Sequence, residues 1–151
     1  MFDLSPPLLD ELGLSAAVVE WLETQVGQRY NIETAFLDEL DDHCEHLIEE
    51  SARAILFRNV RELLINVVKH AQSNKVSVHL KNSNDRMKII VEDDGIGFDP
   101  EAAIQSGPLN GGFGLFSIQE RMADLGGSLE IASEPGKGCK ATLTVPVGEK
   151  A

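Results

Sequence analysis

The chain has 151 residues, a length that suits one domain with its own hydrophobic core. Hydrophobic residues make up 42% of it and charged residues 25%, which is typical of folded globular proteins. No apolar run approaches the roughly 20 residues of a membrane helix, and the first residues lack the basic and apolar regions of a signal peptide. Cys44 and Cys139 lie far apart without metal-ligand spacing and are predicted to be free thiols. The sequence therefore predicts a cytoplasmic domain with no membrane contact of its own.

The net charge of −12 is concentrated in the first third of the chain. Residues 1–50 contain 13 acids and one base, whereas residues 51–151 contain 12 of each. Such an acidic surface disfavours nucleic acid, because it offers no basic footprint to phosphates. It is either a solvated face or a docking surface for a basic partner, and the sequence leaves both open.

The predicted elements begin with the lead-in SPPLLDELGL and an amphipathic helix that ends near Gly27. Alternating residues in RYNIETAFL predict a strand, and the acidic stretch DELDDHCEHLIEE is either a loop or a helix start. The strongest helical pattern runs from about Ile48 to Gln72. Apolar residues recur there at helical spacing: Val60, Leu63, Leu64, Val67, Val68 and Ala71.

The rest of the chain predicts two pairs of strands separated by a glycine-rich loop and a helix. VSVHL and MKIIVED flank one polar turn, and SLEIASE and CKATLTVPV flank another. Between the pairs, DPEAAIQSGPLNGGFG is loop-like, and helical spacing returns from Leu115 until Gly126. Hairpins with helices between them predict an α+β fold, in which a single sheet carries its helices on one face.

The long helix has a polar face opposite its apolar stripe, made of Arg58, Asn59, Glu62, Asn66, Lys69 and His70. Such a face is ordinarily solvated, and Arg58 could pair with Glu62 one turn away. Asn66 fits that interpretation less well, because asparagine is a mediocre residue for the middle of a helix. Its amide oxygen is a suitable ligand for Mg²⁺, and Lys69 and His70 lie within reach of phosphate oxygens.

Two glycine-containing motifs follow the long helix. In VEDDGIGF, Asp93 ends a strand before Gly95 and Gly97, which is either a simple turn or the edge of a ligand pocket. In the second case the glycines admit a flat ligand, and the carboxylate accepts a hydrogen bond from an exocyclic amine such as that of adenine. In GGFGL, a glycine-rich loop runs into a helix, so backbone N–H groups could bind phosphate; the alternative is a flexible loop.

In this order and spacing, Glu62 and Asn66 on the long helix, the Asp93 motif and GGFGL resemble the N, G1 and G2 boxes of the GHKL ATPases, respectively. This superfamily includes gyrase, the ninety-kilodalton heat-shock chaperone, histidine kinases and a mismatch-repair protein. The segments RELLINVVKHAQSNKVSVHL, GFGLFSIQERMADLGGSLEIASEPGKG and TLTVPV look most like the catalytic and ATP-binding domain of sensor histidine kinases. Within these they look like the subgroup paired with helix–turn–helix response regulators. The resemblance implies a two-layer α/β sandwich of the Bergerat type, with a mixed, mostly antiparallel sheet.

The resemblance also implies roles for single residues. Asp93 would hold the adenine amine, Gly95 and Gly97 would shape the pocket, and Asp94 would face out or brace the turn. The N box would supply Asn66 as the ligand of Mg²⁺ between the phosphates of ATP.

Other roles implied by the resemblance concern the phosphate end. Glu62 would act as a general base or orient the attacking group. The further contacts with the nucleotide would be Lys69, His70, Gly112, Gly114 and Leu115. Residues 99–113 would form a mobile lid over ATP.

The chain departs from the family pattern at two points. Cys139 stands where the family usually has a threonine that helps to hold the adenine through water, and a thiol is a weaker hydrogen-bonding group. No histidine lies in the family's phosphoacceptor motif: the four are His43, His46, His70 and His79. The implied reaction is transfer of the γ-phosphoryl group of ATP to a histidine on a dimerisation domain that this chain lacks. The implied partners are that domain and a response regulator, and membrane anchoring of the full-length protein stays open.

The predicted organisation is a lead-in and first helix over residues 1–27 and an ATP-binding catalytic domain over residues 28–151, the two forming one structural domain. Two other functions share the same motifs. One is a freestanding serine kinase of the anti-sigma type. The lead-in disfavours it, because LSPPLLDELGL resembles the segment that precedes the catalytic domain in the sensor-kinase subgroup. The other is a non-enzymatic module in which nucleotide switches a protein contact, which the presence of both Glu62 and Asn66 disfavours.

Overall fold

The structure, a computed structural model, describes residues 13–40, 48–83, 85–97 and 114–147. Helix α1 spans Leu14–Trp21 and continues as a π-helix over Leu22–Gln28. Helix α2 spans Glu50–Asn66 and continues as a π-helix over Val67–Ala71, and helix α3 spans Leu115–Asp124. The strands in these ranges are β1 (Glu33–Glu39), β2 (Lys75–Ser83), β3 (Arg86–Asp93), β4 (Ser128–Ser133) and β5 (Cys139–Pro146).

The strands form one sheet in the order β1-β2-β3-β5-β4. β1 runs parallel to β2, and the β2–β3, β3–β5 and β4–β5 pairs are antiparallel. Parallel neighbours need a crossover connection, which α2 provides because it lies between β1 and β2 in the chain. Both predicted hairpins and the mixed, mostly antiparallel sheet are confirmed.

One face of the sheet packs against the helices and forms the core. Alternate residues of the central strands are buried there, because strand side chains alternate between faces: Val76, Val78, Leu80, Met87, Ile89, Val91, Ala141, Leu143 and Val145. All three helices add side chains to the same cluster, among them Leu14, Val18, Leu56, Leu64, Ile118 and Met122. The predicted α+β arrangement with helices on one face is therefore confirmed. None of the helices described is both long and apolar enough to cross a bilayer.

The periodicity of the longest predicted helix is also confirmed. It corresponds to α2 and its π-helical continuation, which ends where Gln72 adopts a φ of 52°. Wider π-helical turns are rare and often occur at functional sites, and here they begin directly after Asn66. The acidic stretch DELDDHCEHLIEE and the glycine-rich loop fall largely on residues 41–47 and 98–113, outside the described part of the chain.

Candidate functional site

Asp93 is the last residue of β3 and lies between two neighbouring strands. It pairs in register with Val76 of β2 and with Cys139 of β5. Its Oδ1 accepts a hydrogen bond of 2.8 Å from the N–H of Gly95, which closes the turn after the strand. Among the residues that the structure describes, no group donates to Oδ2. Within the described part of the chain, the end of the sheet therefore presents a half-buried carboxylate with one oxygen that accepts no hydrogen bond.

The surroundings of Asp93 disfavour its charge. Burial raises the pKa of its carboxyl above the ordinary 3.8; the hydrogen bond from Gly95 N–H opposes this, and the negative charges of Asp94 and Glu92 add to it. A half-buried carboxylate among like charges is unfavourable unless a ligand uses it, so perturbed groups of this kind point to functional sites.

The turn that follows Asp93 packs tightly against the β4–β5 turn, residues 134–138. Gly97 adopts a φ of +69°, and a Cβ there would lie 2.0 Å from the carbonyl oxygen of Glu134. From the opposite side, a Cβ on Gly138 would lie 2.3 Å from the carbonyl oxygen of Asp93. Gly97 therefore shapes this end of the site by admitting protein backbone.

Cys139 lies beside Asp93 at the start of β5. Burial raises the pKa of its thiol to about 11, the charge of Asp93 acts in the same direction, and a hydrogen bond with Ser133 opposes both. The thiol is therefore protonated at neutral pH and offers only a weak donor and acceptor. The prediction of a free thiol is confirmed for Cys139, whereas Cys44 lies outside the described residues.

Asp94 braces the junction between the end of the α2 segment and β2. Its Oδ1 accepts hydrogen bonds from the N–H groups of Asn74 at 3.0 Å and Lys75 at 3.1 Å. Its own N–H donates to the carbonyl oxygen of Lys75 at 3.3 Å. Asp94 was expected either to face out or to brace the turn, and these hydrogen bonds show that it braces the turn. It ties the turn that carries Asp93 to the chain that leaves α2.

Replacing Asp94 with alanine should destabilise the fold by about 1 kcal/mol, because two backbone N–H groups lose their side-chain acceptor at an exposed position. Asp94→Asn keeps an oxygen for both donors and should destabilise the fold less. Urea unfolding of the two variants beside the parent measures the difference. Equal losses would mean that the charge of Asp94, rather than its two hydrogen bonds, stabilises the junction.

A second cluster joins α2 to α3. Glu62 Oε1 accepts a hydrogen bond of 2.6 Å from Arg121 Nη2, and Glu62 Oε2 accepts one of 3.2 Å from Arg58 Nε. A Cβ on Gly114, the residue before α3, would lie 3.9 Å from Glu62 Oε1. The structure thus brings two predicted site residues, Glu62 and Gly114, close together.

Asn59 corrects the prediction of a solvated polar face on α2. Its side chain is 0% exposed, its Oδ1 accepts a hydrogen bond of 2.8 Å from Arg121 Nε, and its Nδ2 lies 3.2 Å from Met122 Sδ. Because buried amides need partners, this amide links α2 to α3. Arg121 was not predicted as a site residue. The one signal for it was its position a turn after Ile118, on the buried side of α3.

The remaining predicted site residues in the described part of the chain are Asn66, Lys69 and Leu115. Asn66 is the last residue of α2, one turn beyond Glu62, and Lys69 is exposed on the π-helical turns that follow. The Leu115 side chain is 2% exposed and belongs to the core, so any ligand contact of this residue comes from its backbone. Three predictions fall outside the described residues: Gly112, the side chain of His70 and the lid over residues 99–113.

Comparison with known proteins finds similar sequences along almost the whole chain. The family described as "Histidine kinase-, DNA gyrase B-, and HSP90-like ATPase" matches residues 52–149. An uncharacterized sensor-like histidine kinase of Chloroflexus aurantiacus is 35% identical over 97% of this chain. The sensor histidine kinase MctS of Rhizobium johnstonii and the signal transduction histidine-protein kinase/phosphatase UhpB of Salmonella typhimurium are 37% and 34% identical, each over 93% of it. The chain spans 24%, 30% and 26% of the lengths of these three relatives, respectively.

Solved structures with a similar fold include two histidine kinase domains. The nucleotide-free catalytic domain of histidine kinase ThkA has a TM-score of 0.69 at 22% identity, with 92% of each chain covered. The histidine kinase domain of the blue-light activated histidine kinase of Erythrobacter litoralis has a TM-score of 0.66 at 20% identity, with 89% of this chain and 61% of that one covered. At these identities the likeness concerns the fold.

Proposed function

Because the chain belongs to the family of histidine kinase-, DNA gyrase B- and HSP90-like ATPases, we propose that it is the ATP-binding catalytic domain of a two-component sensor histidine kinase. It transfers the γ-phosphoryl group of ATP to a histidine on a dimerisation domain, from which a response regulator of the helix–turn–helix type receives it. Identity of 34–37% to two sensor kinases over 93% of the chain supports this function over a serine kinase.

The observation that carries the proposal is the half-buried Asp93 carboxylate, whose Oδ2 accepts no hydrogen bond from any residue that the structure describes. The exocyclic amine of adenine is a donor of the kind this oxygen lacks, and it would relieve part of the unfavourable burial of the charge. Gly95 N–H holds the other carboxylate oxygen, so the orientation of the acceptor is fixed before the nucleotide arrives. The residues present therefore fit an adenine base.

The phosphate end of the proposed site is supplied by α2 and α3. Gly114 precedes a helix of ten residues, whose first N–H groups and dipole favour phosphate. Asn66 supplies an amide oxygen, the hard and neutral type of ligand that Mg²⁺ accepts, and Lys69 adds positive charge. Bound Mg²⁺ would neutralise charge on the phosphates during transfer.

The protein contributes to the reaction mainly by positioning and by electrostatics, as is usual in phosphoryl transfer. Asp93 orients the base and thereby fixes where the triphosphate lies. The attacking imidazole nitrogen belongs to the dimerisation domain; its bond to the γ-phosphorus forms while the bond to the β-phosphate oxygen breaks, and ADP leaves. Glu62, beside the start of α3, either takes the imidazole proton or orients the ring.

The test of transfer mixes this chain with the histidine-bearing dimerisation domain of a sensor kinase such as MctS and with ATP labelled at the γ-phosphate. We expect label on that domain with the acid lability of phosphohistidine, because the imidazole is the only acceptor that the proposal requires. Label should be lost when the acceptor histidine is replaced with glutamine. A response regulator added afterwards should take up the label.

Three other results would contradict the proposal in different ways. Acid-stable label on a serine of an anti-anti-sigma-like protein would support the serine kinase. ATP binding without label on either acceptor would support a nucleotide-switched contact. A chain that binds no ATP would remove the basis of all three functions.

A further inference from the structure

Arg121 stands at the centre of the polar cluster between α2 and α3. Its Nη2 donates to Glu62 Oε1 at 2.6 Å and its Nε donates to Asn59 Oδ1 at 2.8 Å. One guanidinium thus holds two side chains that lie one turn apart on α2. This use of two nitrogens in a fixed fork is specific to arginine, because a lysine ammonium acts as a point charge.

The pair is sheltered, and this distinguishes it from the other ion pair of Glu62. The side chains of Arg121 and Glu62 are 19% and 28% exposed. Arg58, which holds the second oxygen at 3.2 Å, is 44% exposed and lies on the same helix. Solvent screens the exposed contact more strongly, so Arg121 has the larger part in fixing the carboxylate.

Asn59 makes the contact of Arg121 with α2 a rigid one. It is fully buried, and both ends of its amide are used by α3: its oxygen by Arg121 and its nitrogen by Met122 Sδ. Long side chains of a helix lean toward its N-terminus, so the guanidinium of Arg121 extends toward the start of α3. Glu62 Oε1 accordingly lies near both Arg121 and Gly114.

We propose that Arg121 is a positioning residue for phosphoryl transfer: anchored on the buried Asn59, it fixes the Glu62 carboxylate beside the start of α3. The inference rests on the proposed function. Each carboxylate oxygen has a second lone pair, so Glu62 can meet the N–H of the incoming imidazole while Arg121 holds it. Arg121 itself touches neither the nucleotide nor the imidazole in this arrangement.

The test is a double-mutant cycle on this chain with three measurements: ATP affinity by calorimetry, thermal unfolding, and single-turnover transfer to the histidine-bearing domain. Arg121→Gln should keep ATP affinity within about twofold and lower the transfer rate by about ten- to a hundredfold. Combined with Glu62→Gln, it should lower the rate no further than Glu62→Gln alone, because Arg121 acts through Glu62. Arg121→Lys should transfer faster than Arg121→Gln but more slowly than the parent. Its ammonium keeps a positive charge beside Glu62, but it does not hold Glu62 and Asn59 in a fixed fork.

Arg29→Gln is the matched control, because it removes an exposed arginine that lies outside α2 and α3 and whose described contacts are local and weak: Gln25 at 3.5 Å and the exposed ring of Tyr30 at 5.6 Å. It should change none of the three quantities.

Four results would overturn the inference. The first is a double variant whose loss of rate is the product of the losses in Arg121→Gln and Glu62→Gln. The second is an Arg121→Gln variant that melts at a lower temperature but transfers at the parental rate. The third applies if Arg121→Gln does not fold, and it is a full transfer rate in Arg121→Lys. A parent chain that binds ATP and transfers nothing would overturn the proposed function, and this inference with it.

Discussion

Asp93→Asn should weaken ATP binding about ten- to a hundredfold, the effect of losing one hydrogen bond to a charged acceptor worth about 1.5–3 kcal/mol. Asparagine keeps an Oδ1 for the N–H of Gly95, so the turn after β3 retains its shape. The oxygen that we propose to face the adenine amine is replaced by an NH₂ group, and two donors would then oppose each other.

The same substitution should leave the free protein at least as stable as the parent at neutral pH. Burial raises the pKa of Asp93, so the folded state favours the protonated carboxyl. Such a carboxyl stabilises the folded state at a pH below its unfolded pKa, ordinarily 3.8, where it is protonated. This stabilisation is lost as the pH rises through the folded pKa. A neutral amide avoids that loss. The advantage of the variant should therefore disappear in acid below pH 3.8.

Calorimetry with ATP and Mg²⁺ measures the first effect, and thermal unfolding between acid and neutral pH measures the second. Glu92→Gln is the matched control, because it removes the same charge from the exposed residue before Asp93 and should leave ATP affinity unchanged. Parental affinity in Asp93→Asn would mean that adenine does not bind at this carboxylate. Lower stability at neutral pH would mean that the charge of Asp93 stabilises the fold.

The parts of the fold that the sequence predicts well are those that depend on local patterns. Alternation over residues 76–80 and 87–93 and helical spacing over residues 48–72 each determine an element without reference to distant residues. The Asp93 motif is local in the same way, because an acid and two glycines within five positions need a turn wherever the strand lies. The structure adds the burial of Asp93, which depends on both neighbouring strands.

The features that the sequence does not predict depend on contacts between distant segments. Asn59 and Arg121 are 62 residues apart, and helical periodicity alone places Asn59 on a polar face, so its burial follows only from the packing of α3. The partner of β1 is a similar case. RYNIETAFL predicts a strand, but its parallel pairing with β2 depends on how α2 crosses between them.

The role of Gly97 also depends on a contact between distant segments, and its replacement should have the second large effect, on the stability of the fold. Gly97→Ala should destabilise the fold by about 3 kcal/mol or more. The left-handed backbone contributes about 1–2 kcal/mol for a residue with a Cβ. The remainder arises because that Cβ would lie 2.0 Å from the carbonyl oxygen of Glu134, a backbone atom that cannot move without shifting the β4–β5 turn.

Gly136→Ala is the matched control for Gly97→Ala, because the two glycines lie in turns that contact each other and share a left-handed backbone. Gly136 has a φ of +83°, and a Cβ there would meet nothing within 4 Å. Its N–H, which donates to the carbonyl oxygen of Ile96, is kept in alanine. Gly136→Ala should therefore show the backbone effect alone, about 1–2 kcal/mol.

Urea unfolding of the two variants separates the backbone effect from the close approach, and calorimetry shows whether the site depends on it. Gly97→Ala should also bind ATP more weakly in its folded fraction, because the β4–β5 turn that must shift also packs, at Gly138, against the backbone of Asp93. Equal destabilisation in the two variants would mean that the turns separate readily. The contact between Gly97 and Glu134 would then have no part in shaping the nucleotide end of the sheet.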